Sequence, residues 1–220
     1  FNVLHCAAMF GHADAVSLLM DRTSGQLNVP SQSGWTALHL AAFRGYPAVV
    51  AALVSRTDVD VNERLFDKST ALHIAAITGK VAVLQTLLTA PHIEINALRN
   101  DNNAALHLAV RLGWEDVVVA LAGARNADVN VVVQGSGNSA LHLSVLFGNM
   151  GILERLLETP GIDVNLAASS GATALAMCSE SGERPAREEA ALRLLAHPGI
   201  DPNGAIFLLD SACVIEHFRT

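Results

Sequence analysis

Thr36-Ala37-Leu38-His39-Leu40-Ala41-Ala42 is one of five copies of a single phrase in this chain of 220 residues. The others read VLHCAA from Val3, ALHIAA from Ala71, ALHLAV from Ala105 and ALHLSV from Ala140. Their histidines, His5, His39, His73, His107 and His142, stand 34, 34, 34 and 35 residues apart. A second series, Gly11, Gly45, Gly79, Gly113, Gly148 and Gly182, steps by 34, 34, 34, 35 and 34. A third, Asn28, Asn62, Asn96, Asn130, Asn165 and Asn203, steps by 34, 34, 34, 35 and 38. Three series in one register establish an internal repeat, and a period of this length means a stacked array of small units.

Each unit follows the same order. A hydroxyl such as Thr36 caps a helix on which Leu38, Ala41 and Ala42 fall at i, i+3 and i+4, one stripe. Gly45 ends that helix and turns the chain. Val49, Val50, Leu53 and Val54 make a second amphipathic helix, and Asp58-Val59-Asp60-Val61-Asn62 begins an extended arm toward the next unit. Neither helix reaches the ~12–15 residues that an isolated helix needs in water, so stacking on neighbours is obligatory.

On these residues the chain resembles an ankyrin-repeat array: the hydroxyl-x-Leu-His-x-Ala-Ala phrase, the inter-helix Gly, the Leu pairs at Leu18-Leu19, Leu87-Leu88 and Leu156-Leu157, and the Asp-Val-Asn ending at Asn62, Asn130 and Asn165. The resemblance covers about residues 1–203 and implies an all-α repeat solenoid of stacked helix-turn-helix units with β-hairpin-like fingers. Units are expected at 1–30, 31–64, 65–98, 99–133, 134–167 and 168–205, with 206–220 as a degenerate capping helix, all in one domain. Several positions depart from the family. Its Pro before Leu-His is replaced by Val3, Ala37, Ala71, Ala105, Ala140 and Ala174, which removes a residue pre-set for the first turn. Ala104 and Ser139 stand for the capping Thr, Lys68 and Asn102 for the turn Gly, and Ala176 for the sixth His, while an insertion around Gly182–Pro185 stretches the last step. The start inside a unit, without an initiating Met, is expected of a fragment of a longer protein.

Composition agrees with this reading. The chain is 51% apolar but only 5% aromatic, so Ala, Val and Leu must form a thin, close-packed core. Its longest apolar runs, such as Ala48 to Val54, fall far short of the ~18 residues of a membrane span. Twenty-one acidic against 14 basic residues, net −7, disfavour a phosphate-tracking nucleic-acid surface. Three scattered cysteines form no disulfide framework, and a reducing cytoplasmic compartment is expected, with the nucleus also open.

The residues that imitate chemistry have simpler explanations. Five of the nine histidines occupy the repeat phrase, one per unit, and the spacing of units in the resembled family implies a ladder roughly 10 Å apart, where one ion needs bonds of about 2 Å. By resemblance each is a structural tie to neighbouring backbone; His12, His92, His197 and His217 show no partner spacing, and no metal or cofactor is expected. Gly135-Ser136-Gly137-Asn138-Ser139-Ala140 imitates a dinucleotide-binding GxGxxA, yet in register it is a finger with one inserted residue. Cys6 and Cys178 fall at apolar phrase positions and read as small buried hydrophobes.

The aromatics carry the functional signal. In the resembled family the variable, ligand-facing positions flank the finger turn and precede the inter-helix Gly, and six of the ten aromatics fall there: Phe1, Phe10, Trp35, Phe43, Phe66 and Phe147. The other four are Tyr46 and Trp114, just after the inter-helix Gly, and Phe207 and Phe218 in the tail, so none is expected to stack between units. The partner-binding set is therefore Trp35, Phe43, Arg44, Phe66, Asp67, Ile77, Asp101, Arg111, Leu112, Leu146 and Phe147, with aromatic anchors and flanking charges that set orientation. The simpler alternative is that some of these pack on the neighbouring finger. The expected function is a non-enzymatic module that binds a protein or peptide in a concave groove, without nucleic acid, membrane insertion or small-molecule substrate. One rival is a targeting arm of a larger enzyme or effector. Another is an array that is itself a substrate, since Leu88 to Asn96 and Leu157 to Asn165 resemble segments hydroxylated on Asn in other family members.

Overall fold

A computed structural model describes residues 1–22, 26–178 and 185–201. They fall into two compact units, Phe1–Ala127 and Asp128 onward. The first contains α1 (Val3–Met9), α2 (Ala13–Arg22), α3 (Ala37–Arg44), α4 (Pro47–Val54), α5 (Ala71–Thr78), α6 (Val81–Leu88), α7 (Ala105–Leu112) and α8 (Glu115–Ala122). The second contains α9 (Ala140–Phe147), α10 (Met150–Leu157), α11 (Ala174–Met177) and α12 (Pro185–Leu195).

Within the first unit the odd-numbered helices, one per Leu-His phrase, pack in sequence as an inner layer, and the even-numbered helices pack in sequence as an outer layer. The second unit repeats this with α9 on α11 and α10 on α12. The stripe read from sequence is the core: Leu38, Ala41 and Ala42 of α3 and Val49, Val50 and Leu53 of α4 are all buried. Alanine suits the inner layer because it adds no bulk between neighbouring helices. The arms between helix pairs form no strand among the described residues. They are tight turns, as where Leu65 N–H donates to Ser69 O at 2.9 Å and Lys68, with φ 61°, takes the left-handed corner. Asn102 adopts the same corner, as expected of residues standing for the turn glycine.

Within each compact unit two side chains tie one repeat to the next. His39 illustrates the first: Thr36 N–H donates to Nδ1 at 3.3 Å, and Nε2 meets Glu63 O of the next arm at 3.1 Å. His5, His73 and His142 make the matching contacts with Trp35 O, Ala97 O and Ala172 O. The histidine thus completes a capping box with the residue before the helix and also reaches forward. Ala104 carries no side-chain acceptor, so at α7 only the half from Ala104 N–H to His107 Nδ1 is made. Asparagine supplies the second tie. Asn62 Nδ2 donates to His92 O at 2.7 Å while its Oδ1 accepts from Glu94 N–H at 2.8 Å. Asn28, Asn130 and Asn165 clamp in the same way, about one repeat ahead.

Two expectations need correcting. Cys6 is exposed, not buried. Cys178 is half-buried; burial pushes its thiol up to about 12, and Sγ donates to Ala174 O. Aromatics do stack between units: the Trp114 ring lies on Gly79 and the Tyr46 ring on Gly11, one repeat back, so close that a Cβ on either glycine would come within 2.9 Å of the ring. Trp114 Nε1 also donates to Ile77 O. The dinucleotide imitation resolves as a longer finger, with Val133 N–H donating to Asn138 O. Gly137 is needed there because a Cβ would fall 2.4 Å from Ser169 N of the following finger.

The sixth unit is the most abbreviated, with four residues in α11, where Ala176 stands for His. Glu180, Ser181, Gly182, Asn203, the insertion around Gly182, and the tail with Phe207, Cys213, His217 and Phe218 lie outside the described residues. Among the described residues no helix is long and apolar enough to cross a membrane.

Candidate binding face

Helix geometry sets the inner helices' last turns apart from the core. Phe43 lies two residues beyond Ala41, about 200° around the helix, and so points away from the buried stripe. Phe43 and Arg44 on α3, Ile77 on α5, and Arg111 and Leu112 on α7 are all exposed. In the second unit Leu146 and Phe147 hold the matching places on α9, with Phe147 47% exposed.

The finger residues differ among themselves. Trp35 is only half-buried by its surroundings, with its ring edge-on to Phe43 at 5.6 Å between centroids and to His39 at 6.2 Å. Phe66 is 84% exposed, yet one edge of its ring lies over Gly34 of the preceding finger, as the simpler alternative anticipated. Asp67 is engaged within the protein. It accepts from Ser69 N–H and Ser69 Oγ and pairs with Arg99 at 2.7 Å. Burial pushes its carboxyl upward, but the hydrogen bonds from Ser69 and the Arg99 charge outweigh that, and the net shift is downward. Asp101 faces the same guanidinium at 3.6 Å and accepts from Asn103 N–H.

Arg99 was invisible to the sequence reading because it sits just before the finger, outside the variable positions. Its partners are the signal: Asp67 and Asp101 occupy matching finger places one repeat apart, with the arginine between them. Arg44 and Arg111 differ, since neither makes an ion pair or hydrogen bond among the described residues. The phrase histidines are poor candidates for chemistry. Burial lowers His39 and His73 to about 4, and lowers His5 and His142 as well, so all four are neutral near pH 7. Among the described residues no group of three His, Cys, Asp or Glu side chains is placed to hold a metal ion.

The face can therefore bury apolar surface and pair with negative charge. Comparisons with known proteins bear on what such a face is. The chain matches a solved structure described as the ankyrin repeat domain of Bcl-3, a unique member of the IkappaB protein family, at 25% identity and a TM-score of 0.84. That match covers 100% of this chain and 99% of the other. No curated protein sequence matches the chain. The family model for ankyrin repeats (3 copies) matches residues 1–64, 55–133 and 125–205. A match running from residue 1 to residue 205, over the same helix pairs, His ties and Asn clamps, decides membership: the chain belongs to the ankyrin-repeat family.

Proposed function

We propose that this chain is a non-catalytic protein-binding module that grips a partner protein or peptide with the last turns of its inner helices and its fingers. Ankyrin repeats are in general protein–protein interaction modules. The observation that carries the finer reading is the row Phe43, Ile77 and Leu112, exposed on three successive inner helices of the first unit, with Leu146 and Phe147 at the matching places in the second. Core packing has no use for these side chains, and apolar groups recurring within the last two positions before each inter-helix glycine of the first unit make a patch larger than scattered surface residues do. Trp35 and Phe66 extend the patch onto the fingers, Arg44 and Arg111 supply free charge, and Asp67 and Asp101, held by Arg99, stiffen the finger bases.

Affinity purification with the wild-type chain and with a Phe43→Ala/Phe147→Ala variant, compared by mass spectrometry, identifies the partner. Each single substitution is then expected to weaken binding by about 2 kcal/mol or more while leaving the thermal midpoint nearly unchanged. A variant that melts early, with binding lost only in proportion, would refute the assignment of this face.

A further inference from the structure

The chain is acidic as a whole, at −7, yet the inner-helix ends and fingers of the first unit run the other way. Arg44, Lys68 and Arg111 are exposed there, and the Lys80 stem lies across Gly45 at the end of α3. The two carboxylates on this face, Asp67 and Asp101, are both occupied by Arg99. Other carboxylates of this unit sit on the outer helices and the loops after them, as at Asp21, Asp58, Asp60 and Asp116, and most of the chain's acidic excess falls in residues 128–220, with 11 acidic against 5 basic residues. Any partner seated on Phe43, Ile77 and Leu112 also covers Arg44 and Arg111. A guanidinium taken out of water without a carboxylate is strongly unfavourable, so the occupant has to bring its own negative charge.

Spacing narrows the chemistry further. Arg44 and Arg111 belong to α3 and α7, two inner-helix steps apart. At about 8–10 Å per step they are separated by roughly 16–20 Å, which an extended chain rising ~3.3 Å per residue crosses in about five or six residues. We propose that the occupant is an extended acidic peptide segment whose two carboxylates, about five or six residues apart, pair with Arg44 and Arg111 while apolar side chains between them cover Phe43, Ile77 and Leu112. This rests on the reading of that face as the binding surface. Two separated carboxylates match two separated arginines, whereas a nucleic-acid strand brings a phosphate at every step into a chain of net −7.

The test is selection of displayed random peptides, about twelve residues long so that an extended chain spans both arginines, on the immobilised full chain. Binders are then measured by fluorescence anisotropy on the wild type, on Arg44→Gln/Arg111→Gln and on Phe43→Ala/Leu112→Ala, each variant first shown to melt like the wild type. Expected are peptides with two spaced carboxylates around apolar residues, bound at least about tenfold more weakly by the arginine variant and more weakly as salt is raised. Neutral or basic peptides that ignore the arginine variant but are lost on the Phe43/Leu112 variant overturn this proposal and leave the binding face intact. Binders indifferent to both variants, or no binders at all, overturn both. A single-stranded oligonucleotide held through the two arginines as tightly as the best peptide also overturns it.

Discussion

At the residue scale the histidine of each phrase acts through one tautomer. An N-cap N–H donates to Nδ1, so the ring proton is on Nε2, which donates to the next arm's carbonyl. Protonating Nδ1 would set two donors against each other, and burial of His39 and His73 opposes the charge as well, holding both near 4. An unfolded chain protonates histidine near 6.5, so between about 6.5 and 4 the unfolded state binds more protons, and stability falls as pH is lowered through that window. The full effect is roughly 3 kcal/mol per ring below pH 4. Urea denaturation at pH 7 and at pH 4.5 should show the midpoint dropping, with His73→Gln less stable at pH 7 and shallower in its pH dependence. Equal midpoints for the wild type at the two pH values would contradict the neutral tie. The structural role of the histidine was legible in the sequence because five copies in register do not surround one ion. Its capping partnership with the preceding residue is also local. The carbonyl it reaches lies in the next arm, 24 residues on for His73, and only folding brings it within reach.

At the element scale the glycine between the two helices of a pair has one duty or two, depending on where it stands in the chain. Gly79 and Gly148 both have positive φ, near 70°, which any L side chain resists. Gly79 alone also lies under the Trp114 ring, while the space over Gly148 is open among the described residues. Gly148→Ala should therefore cost about 1 kcal/mol for backbone strain, and Gly79→Ala clearly more. Adding Trp114→Ala to Gly79→Ala should recover part of the excess in chemical denaturation, the coupling expected of residues in contact. Additive losses in that cycle would rule out the stacking contact. The turn duty was readable from a glycine at a fixed step between two apolar stripes. The platform duty was not, because it depends on how far one pair is offset from the next. That offset is why Tyr46 and Trp114, read as non-stacking, do stack.

At the scale of the whole molecule, stability is a sum of unit and neighbour terms, so it need not be uniform along the chain. Helix α5 has an inner-layer neighbour on each side and a full His tie. Helix α11 has four residues and, with Ala176 for His, no such tie. In hydrogen exchange, amides of α5 should be protected far longer than those of α11, and equal protection would mean that the missing tie carries no weight. Sequence by itself determined the repeat, its register and the helix pairs, because these follow from local periodicity copied along the chain. It also picked out the exposed positions on the inner helices, since whatever the buried stripe does not use must face outward. Tertiary structure alone decided which charges on that face are free. Asp67 and Asp101 carry the same formal charge in the sequence whether paired or not, and only the placement of Arg99 between adjacent fingers occupies both, leaving Arg44 and Arg111 without partners among the described residues.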